Sequence, residues 1–173
     1  MTVPAGISFE QAVAQTQTLV EARTQGKLDA QAFAQKVQAL VQSENGARGF
    51  FVTYLTLEAA WADQPDEDLV QALKSAPAIV GELLVKNLVM ATAMEITHRR
   101  NGDADLAQGS QRVQQRVLFR SEQLQLAEVP PKAREMARNA AGEPGTYSDF
   151  LQRWGYDDEQ RRAIQQVLQP WVN

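Results

Sequence analysis

The chain has 173 residues, a net charge of −4 and no cysteine, so it is long enough to bury its own core but lacks several kinds of chemistry. Without cysteine it has no disulfide, no thiolate-ligated zinc or iron–sulfur cluster and no thiol nucleophile, and it suits a reducing compartment. The excess of acidic residues argues against broad nucleic-acid binding, because Lys and Arg supply that affinity by contacting phosphates.

No export signal or membrane span is evident in the sequence. Residues 1–15, MTVPAGISFEQAVAQ, have neither a basic flank nor an apolar run, so we predict neither a secretory signal nor a transit peptide. The most apolar stretch, 79–96, contains Glu82, Lys86 and Glu95, whose charges would be costly in hydrocarbon. We therefore expect a soluble, cytoplasmic protein that does not enter a membrane.

Apolar residues recur every three or four positions through the chain, and the alternation typical of half-buried strands is missing. The predicted fold class is therefore all-α. Ser8 is placed to cap a first helix that Gly26 ends. Asp29 is placed to cap a second helix that Asn45–Gly46 ends, and the two helices are expected to form an antiparallel hairpin.

Residues 49–56 are rich in β-branched and aromatic side chains, so strand and helix compete there. Helix is favoured because no second strand is available as a partner and four apolar residues fall on one helical stripe: Phe50, Phe51, Tyr54 and Leu55. A short helix over 66–75 follows.

The longest apolar helix is predicted to run from Pro77 to about Asn101, before Gly102. Its apolar residues cover most of its circumference, which indicates that other helices surround it; they are Ile79, Val80, Leu83, Leu84, Leu88, Val89, Met90, Met94 and Ile96. We therefore predict a compact multi-helix bundle around this central helix, over 77–101, and a single helical domain over 1–173.

The rest of the chain continues as helices. Asp103 opens a long helix with heptad-like apolar spacing at Leu106, Val113, Val117 and Leu124. Pro130–Pro131 begin a weaker helix, and residues 142–146, which include two glycines and a proline, are predicted to form a mobile loop before a C-terminal helical hairpin. Thr146 and Asp157 are expected to cap the two helices of that hairpin.

Five arginines are predicted to form a strip. Arg112, Arg116 and Arg120 lie in an i, i+4, i+8 row, and Arg99 and Arg100 lie across the preceding turn. Such a strip could bind carboxylates or phosphates of a protein partner, because the guanidinium makes bidentate contacts with both. The alternative is a solvated helix face whose arginine stems cover apolar surface.

Four polar residues of the central helix are candidates for lining a pocket. Glu82 and Lys86, at i and i+4, fit either a functional site or a structural ion pair. Glu95 and His98 match one Glu-x-x-His element of di-iron bundles, which need two such elements. His98 is the only histidine, so one chain cannot complete that site, although a dimer could supply two elements. The alternative is that His98 has no metal role and interacts favourably with the carbonyl end of its helix, where it lies in the last turn.

These patterns assign no catalytic residue, no metal and no cofactor. The leading hypothesis is a non-enzymatic helical module that acts through a protein partner or self-association, with the arginine strip as a contact surface. The alternative is a ligand- or metal-binding protein with a pocket beside the central helix.

Three stretches resemble an uncharacterised family of small soluble helical proteins of oxygenic phototrophs. They are 46–55 (GARGFFVTYL), 81–88 with 96–101 (GELLVKNL and ITHRRN) and 150–156 (FLQRWGY). The resemblance spans most of the chain. It implies the cytoplasm or stroma of a photosynthetic host, and it brings no activity, cofactor or catalytic residue.

Overall fold

The structure, a computed structural model, describes residues 6–64 and 66–172. The first five residues of the segment predicted to lack a targeting signal therefore lie outside the described part. Within the described ranges the chain forms ten α-helices, one short 3₁₀ helix and no strand, which confirms the all-α prediction.

The helices fall into two compact units. The first unit contains α1 (Phe9–Thr24), α2 (Ala30–Leu40), α3 (Glu44–Thr56), the 3₁₀ helix Ala60–Asp63, α4 (Glu67–Lys74) and the start of α5 (Pro77–Asn101), and it takes in Glu122–Leu124. The second unit begins at Leu84 and contains the rest of α5, α6 (Ala104–Leu124) as far as Ser121, α7 (Val129–Ala140), α8 (Ser148–Trp154), α9 (Asp158–Val167) and α10 (Gln169–Val172). A single domain over 1–173 stays a prediction.

The first two helices begin as predicted. The Ser8 hydroxyl accepts the backbone N–H of Gln11 at 3.2 Å, and the Gln11 side chain accepts that of Ser8 at 2.9 Å. The Asp29 carboxylate accepts the N–H of Ala32 at 2.7 Å. Each cap satisfies a backbone donor that the first helical turn leaves unpaired. Gly26 follows α1 with φ of 71°, as expected of a residue that ends a helix.

The prediction that Asn45–Gly46 ends the second helix is wrong. Helix α2 ends at Leu40, and Asn45–Gly46 lies inside α3, which Ser43 caps by accepting the N–H of Gly46 at 3.1 Å. A Cβ on Gly46 would lie 2.8 Å from the Ser43 hydroxyl and closer still to the Leu40 carbonyl oxygen. The glycine is therefore needed for a close approach between the two helices, and it does not act as a stop signal.

Segment 49–56 is helical, as predicted. Its apolar stripe is fully buried in the first unit, and the rings of Phe50 and Tyr54 stack with centroids 5.1 Å apart. Helix α1 packs closely on α3 because Gly49 faces Ala12. Burial of a helical stripe therefore outweighs the β propensity of the individual residues.

A half-buried arginine organises the end of α1 in the first unit. The Arg23 guanidinium pairs with Asp66 at 2.6 Å and lies 4.3 Å from the ring centroid of Trp61 and 4.8 Å from that of Phe33. The indole N–H of Trp61 donates to the Thr24 hydroxyl at 3.1 Å. These contacts attach the 3₁₀ helix to α1 and α2, and the spacing of the sequence did not predict them.

Helix α5 has the predicted bounds and is largely enclosed. Within the second unit its buried apolar residues occupy consecutive turns: Leu84, Val85, Leu88, Val89, Ala91 and Ala93. Two adjacent positions are buried in each turn, so the apolar surface is wider than the stripe of an ordinary surface helix.

The heptad prediction for α6 is partly wrong. Val117 is buried, but Leu106 is 55% exposed. Residues 101–106, from the last residue of α5 into the first turn of α6, are all exposed. Ala107 is the first buried residue of α6, so the neighbours of this helix do not cover Leu106.

The predicted Thr146 cap is wrong, because α8 begins at Ser148 and Thr146 instead donates its N–H and hydroxyl to Glu135. Loop 142–146 is exposed, and the buried Asn139 side chain holds both sides of it. Asn139 donates to the Glu143 carbonyl at 3.2 Å and accepts the N–H of Tyr147 at 2.9 Å. The mobility of this loop stays a prediction.

Helix α9 begins at the second predicted capping box. Asp157 accepts the N–H of Gln160 at 3.0 Å, and the Gln160 side chain accepts that of Asp157 at 3.0 Å. Gln160 also donates to the Ala93 carbonyl and the Thr97 hydroxyl of α5, both at 3.0 Å. The same residue thus caps α9 and attaches it to α5.

Candidate functional site

The Glu95 carboxylate joins α5 to α6 within the second unit. Its two oxygens accept hydrogen bonds from the side-chain amides of Gln111 and Gln114, each at 2.7 Å. Arg99 pairs with the same carboxylate at 2.5 Å. These partners satisfy the carboxylate, so Glu95 works here as a structural bridge between two helices.

His98 lies half-buried in the last turn of α5, and its ring forms no hydrogen bond within residues 6–64 and 66–172. Helical geometry places it one turn from Glu95, as the sequence predicted. In the described part of the chain no three His, Asp or Glu side chains are grouped so that they could hold a metal ion.

The other two pocket candidates are divided between the units. Glu82 belongs to the first unit and Lys86 to the second. The Lys86 ammonium lies 5.6 Å from the ring centroid of Phe150 and 6.0 Å from that of Tyr147, which are cation–π distances. Twelve residues of helix separate Lys86 from His98, or roughly 18 Å at 1.5 Å per residue. Lys86 and His98 therefore do not line one small site, and a pocket role for Glu82, Lys86, Glu95 and His98 stays a prediction.

The five arginines do not form one exposed strip. Arg116 is 2% exposed and Arg120 is fully buried, whereas Arg112 is half-buried. Arg99 and Arg100, at the end of α5, are exposed. Arg116 and Arg120 therefore face the interior, and Arg99 and Arg100 are the most accessible of the five.

Arg100 connects the end of α5 to the start of α9. Its guanidinium pairs with Asp157 at 2.5 Å and also with Glu159. Hydrogen bonds from the Arg100 side chain and from the Gln160 backbone lower the pKa of Asp157 to about 2. The same two carboxylates raise the pKa of Arg100.

We expect an Asp157→Asn protein to be less stable than wild type at neutral pH, with a difference that disappears in acid. The native pKa of Asp157 is lower than its ordinary value of 3.8, so its contribution to stability is present above about pH 4. It is lost as the pH falls through about 2. Asparagine still caps a helix, so the substitution tests the charge. Urea unfolding from pH 7 to pH 2 measures the difference.

The matched control is the same substitution in an Arg100→Met background. The pH dependence of the Asp157→Asn effect should weaken there, because the main cause of the lowered pKa is gone. An unchanged pH dependence in that background would contradict this assignment.

Trp154 is exposed, unlike two nearby apolar residues. Tyr147 and Leu151 are buried, but Trp154 is 48% exposed at the last residue of α8. Gly155, with φ of 62°, then turns the chain so that Tyr156 is buried instead. A seven-residue helix buries one narrow stripe, and no spacing signal shows which aromatic residue is left outside it.

Trp154 is connected to the exposed Arg100 through Asp157. Arg100 contacts Asp157, which follows Trp154 by three residues, so the Cα atoms of Trp154 and Asp157 are at most about 11 Å apart. Arg99 adjoins Arg100. We call Arg99, Arg100 and Trp154 together the Trp154 patch.

The described helices define an all-α protein whose best candidate site is this exposed patch on the second unit. No helix of the described chain combines the length and hydropathy that crossing a membrane requires. The chain belongs to the family described as uncharacterised conserved protein UCP020893, whose model matches residues 8–171. This confirms the resemblance to an uncharacterised family. No curated protein and no solved structure matches the chain.

Proposed function

We propose that the chain is a non-enzymatic helical interaction module that binds a protein partner, or a second copy of itself, through the Trp154 patch. The exposure of Trp154 carries this proposal. Its side chain is 48% exposed, so a partner that covers it would gain favourable burial of apolar surface. Trp and Arg are among the residue types most enriched in interface hot spots.

The contacts of Glu95 favour this function over a pocket beside the central helix. A ligand or metal at Glu95 would have to replace its hydrogen bonds with Gln111 and Gln114 and its pairing with Arg99. A partner at the Trp154 patch would displace only water from Trp154. The interaction module therefore requires less rearrangement.

The proposed setting is the cytoplasm of an oxygenic phototroph, where the module would be soluble. The absence of cysteine from the sequence supports a reducing compartment. The phototrophic host is supported by the resemblance of the stretches 46–55, 81–88, 96–101 and 150–156.

The test is recovery of the partner by tagged full-length chain expressed in its own cells. Val52→Ala is the matched control for Trp154→Ala, because Val52 is 44% exposed and lies in the first unit. We expect Trp154→Ala to weaken partner binding at least about tenfold, or about 1.4 kcal/mol, and Val52→Ala to leave it unchanged. Native mass spectrometry of the eluate distinguishes a second copy from another protein.

Thermal unfolding of each variant shows whether it folds. If Trp154→Ala does not fold, Arg99→Ala replaces it, because Arg99 is exposed in the same patch. Equal recovery of the partner by the folded patch variant and by Val52→Ala would refute the proposed surface.

A further inference from the structure

A groove of about 370 Å³ lies in the second unit between the end of α7 and one face of α9. Ala140, the last residue of α7, lines it together with Ala141 and Gly142, which follow that helix. The lining residues of α9 have i, i+3, i+4, i+7 spacing, which places them on one helix face; they are Asp158, Arg161, Arg162 and Gln165. The volume is sufficient for a small metabolite.

Opposite charges line the groove without neutralising each other. Asp158 precedes Arg162 by four residues, the order in which helical ion pairs are favourable. Among the residues that the structure describes, however, neither side chain forms an ion pair or a hydrogen bond, and the Gln165 amide forms no hydrogen bond. Both charges and the amide are therefore available to a ligand.

Arg161 is held in place beside these groups. Its Nε–H donates to the Tyr156 carbonyl at 3.0 Å, which fixes the plane of the guanidinium. The two terminal nitrogens remain as donors, so part of the ordering that a ligand would otherwise have to impose is already present.

The opposite wall supplies hydrogen-bond acceptors. In the described chain the carbonyls of Ala140 and Ala141 accept no backbone hydrogen bond, whereas the preceding carbonyls of α7 do. A helix carries partial negative charge at this end, which favours a bound cation. Asp158 adds a full negative charge to the same groove.

We propose that this groove binds a small zwitterion of the α-amino-acid class. Arg161 and Arg162 bind the carboxylate, for which guanidinium groups have matching geometry. Asp158 and the carbonyls of Ala140 and Ala141 bind the ammonium group. An α-amino acid carries both charges on one carbon, which suits acidic and basic side chains one helical turn apart. This site is separate from the Trp154 patch, so either proposal can fail while the other stands.

The test is an NMR titration of the full-length chain with L-leucine and two analogues. N-acetyl-L-leucine lacks the ammonium charge, and L-leucinamide lacks the carboxylate. We expect L-leucine to bind with a Kd on the order of 1 mM and each analogue to bind at least about tenfold more weakly. The shifted amide signals should belong to residues 140–142 and 158–165.

Variants assign the binding to the groove. Arg162→Ala and Asp158→Asn should each weaken L-leucine binding at least about tenfold. Arg153→Ala is the matched control, because Arg153 is an exposed arginine of the same unit outside the groove, and it should bind as wild type does. An analogue that binds as well as L-leucine, shifts confined to other residues, or no shift up to about 50 mM would overturn the proposal.

Discussion

Replacing Arg120 by glutamate is expected to destabilise the protein by more than about 3 kcal/mol. The Arg120 side chain is fully buried, and the groups around a buried guanidinium are arranged for a cation. A glutamate there would bury a negative charge without those partners. Urea unfolding followed by far-UV circular dichroism measures the loss in the free energy of unfolding. A loss of this size can unfold a marginally stable protein.

The control is the same substitution at Arg153, which is exposed in the last turn of α8. We expect it to change the free energy of unfolding by less than about 1 kcal/mol. If Arg120→Glu is tolerated as well as Arg153→Glu, the Arg120 side chain is accessible to solvent and the predicted arginine strip would have to be reconsidered.

Gly49→Ala is expected to cost about 3 kcal/mol or more, a large effect for a single methyl group. A Cβ on Gly49 would lie 2.8 Å from both the carbonyl carbon of Ala12 and the backbone nitrogen of Val13, and closer still to the Ala12 Cβ. Two of these three atoms belong to the backbone of α1, so relief requires α1 to move away from α3. The midpoint of urea unfolding should fall accordingly.

Gly109→Ala is the matched control, because Gly109 also lies within a helix but a Cβ there would meet nothing within 4 Å. Alanine has the higher helix propensity, so this variant should gain roughly 0.5–1 kcal/mol. The two substitutions should therefore have opposite signs. A gain for Gly49→Ala would show that α1 and α3 are not packed as closely as described.

Local chemistry explains why several helix starts were predicted correctly from the sequence. Ser8, Asp29 and Asp157 cap helices through hydrogen bonds to backbone N–H groups three residues further on. Such contacts depend on neighbouring residues alone, so short sequence patterns contain them. Pro77 begins α5 for a reason that is also local, because the fixed φ of proline suits the first turn of a helix.

The errors occurred where contacts between distant residues decide the outcome. Asn45–Gly46 has the composition of a turn. Gly46 instead lies within α3, where the lack of a side chain allows a close approach to the Leu40 carbonyl. Thr146 was predicted to cap a helix and instead bonds to Glu135. Leu106 has the correct heptad spacing but is 55% exposed. Spacing identifies a helix face but does not identify what lies against it.

The surroundings of the predicted pocket and strip residues were predictable to a similar extent. The sequence placed Glu95 and His98 one turn apart, but it did not show that Gln111 and Gln114 would bind the carboxylate. Glutamines on a helix surface are common, and their partners depend on the register between two helices. The burial of Arg120 could not be foreseen for the same reason.

Site-specific photocrosslinking at position 154 tests the proposed function most directly. The photoreactive residue p-benzoylphenylalanine would replace Trp154 in one variant and Val52 in another, with both proteins made in the native cells. The proposal predicts a light-dependent adduct of one defined mass from position 154, to a protein partner or a second copy, and none from position 52. No adduct from position 154, or the same adducts from both positions, would contradict an interaction through the Trp154 patch.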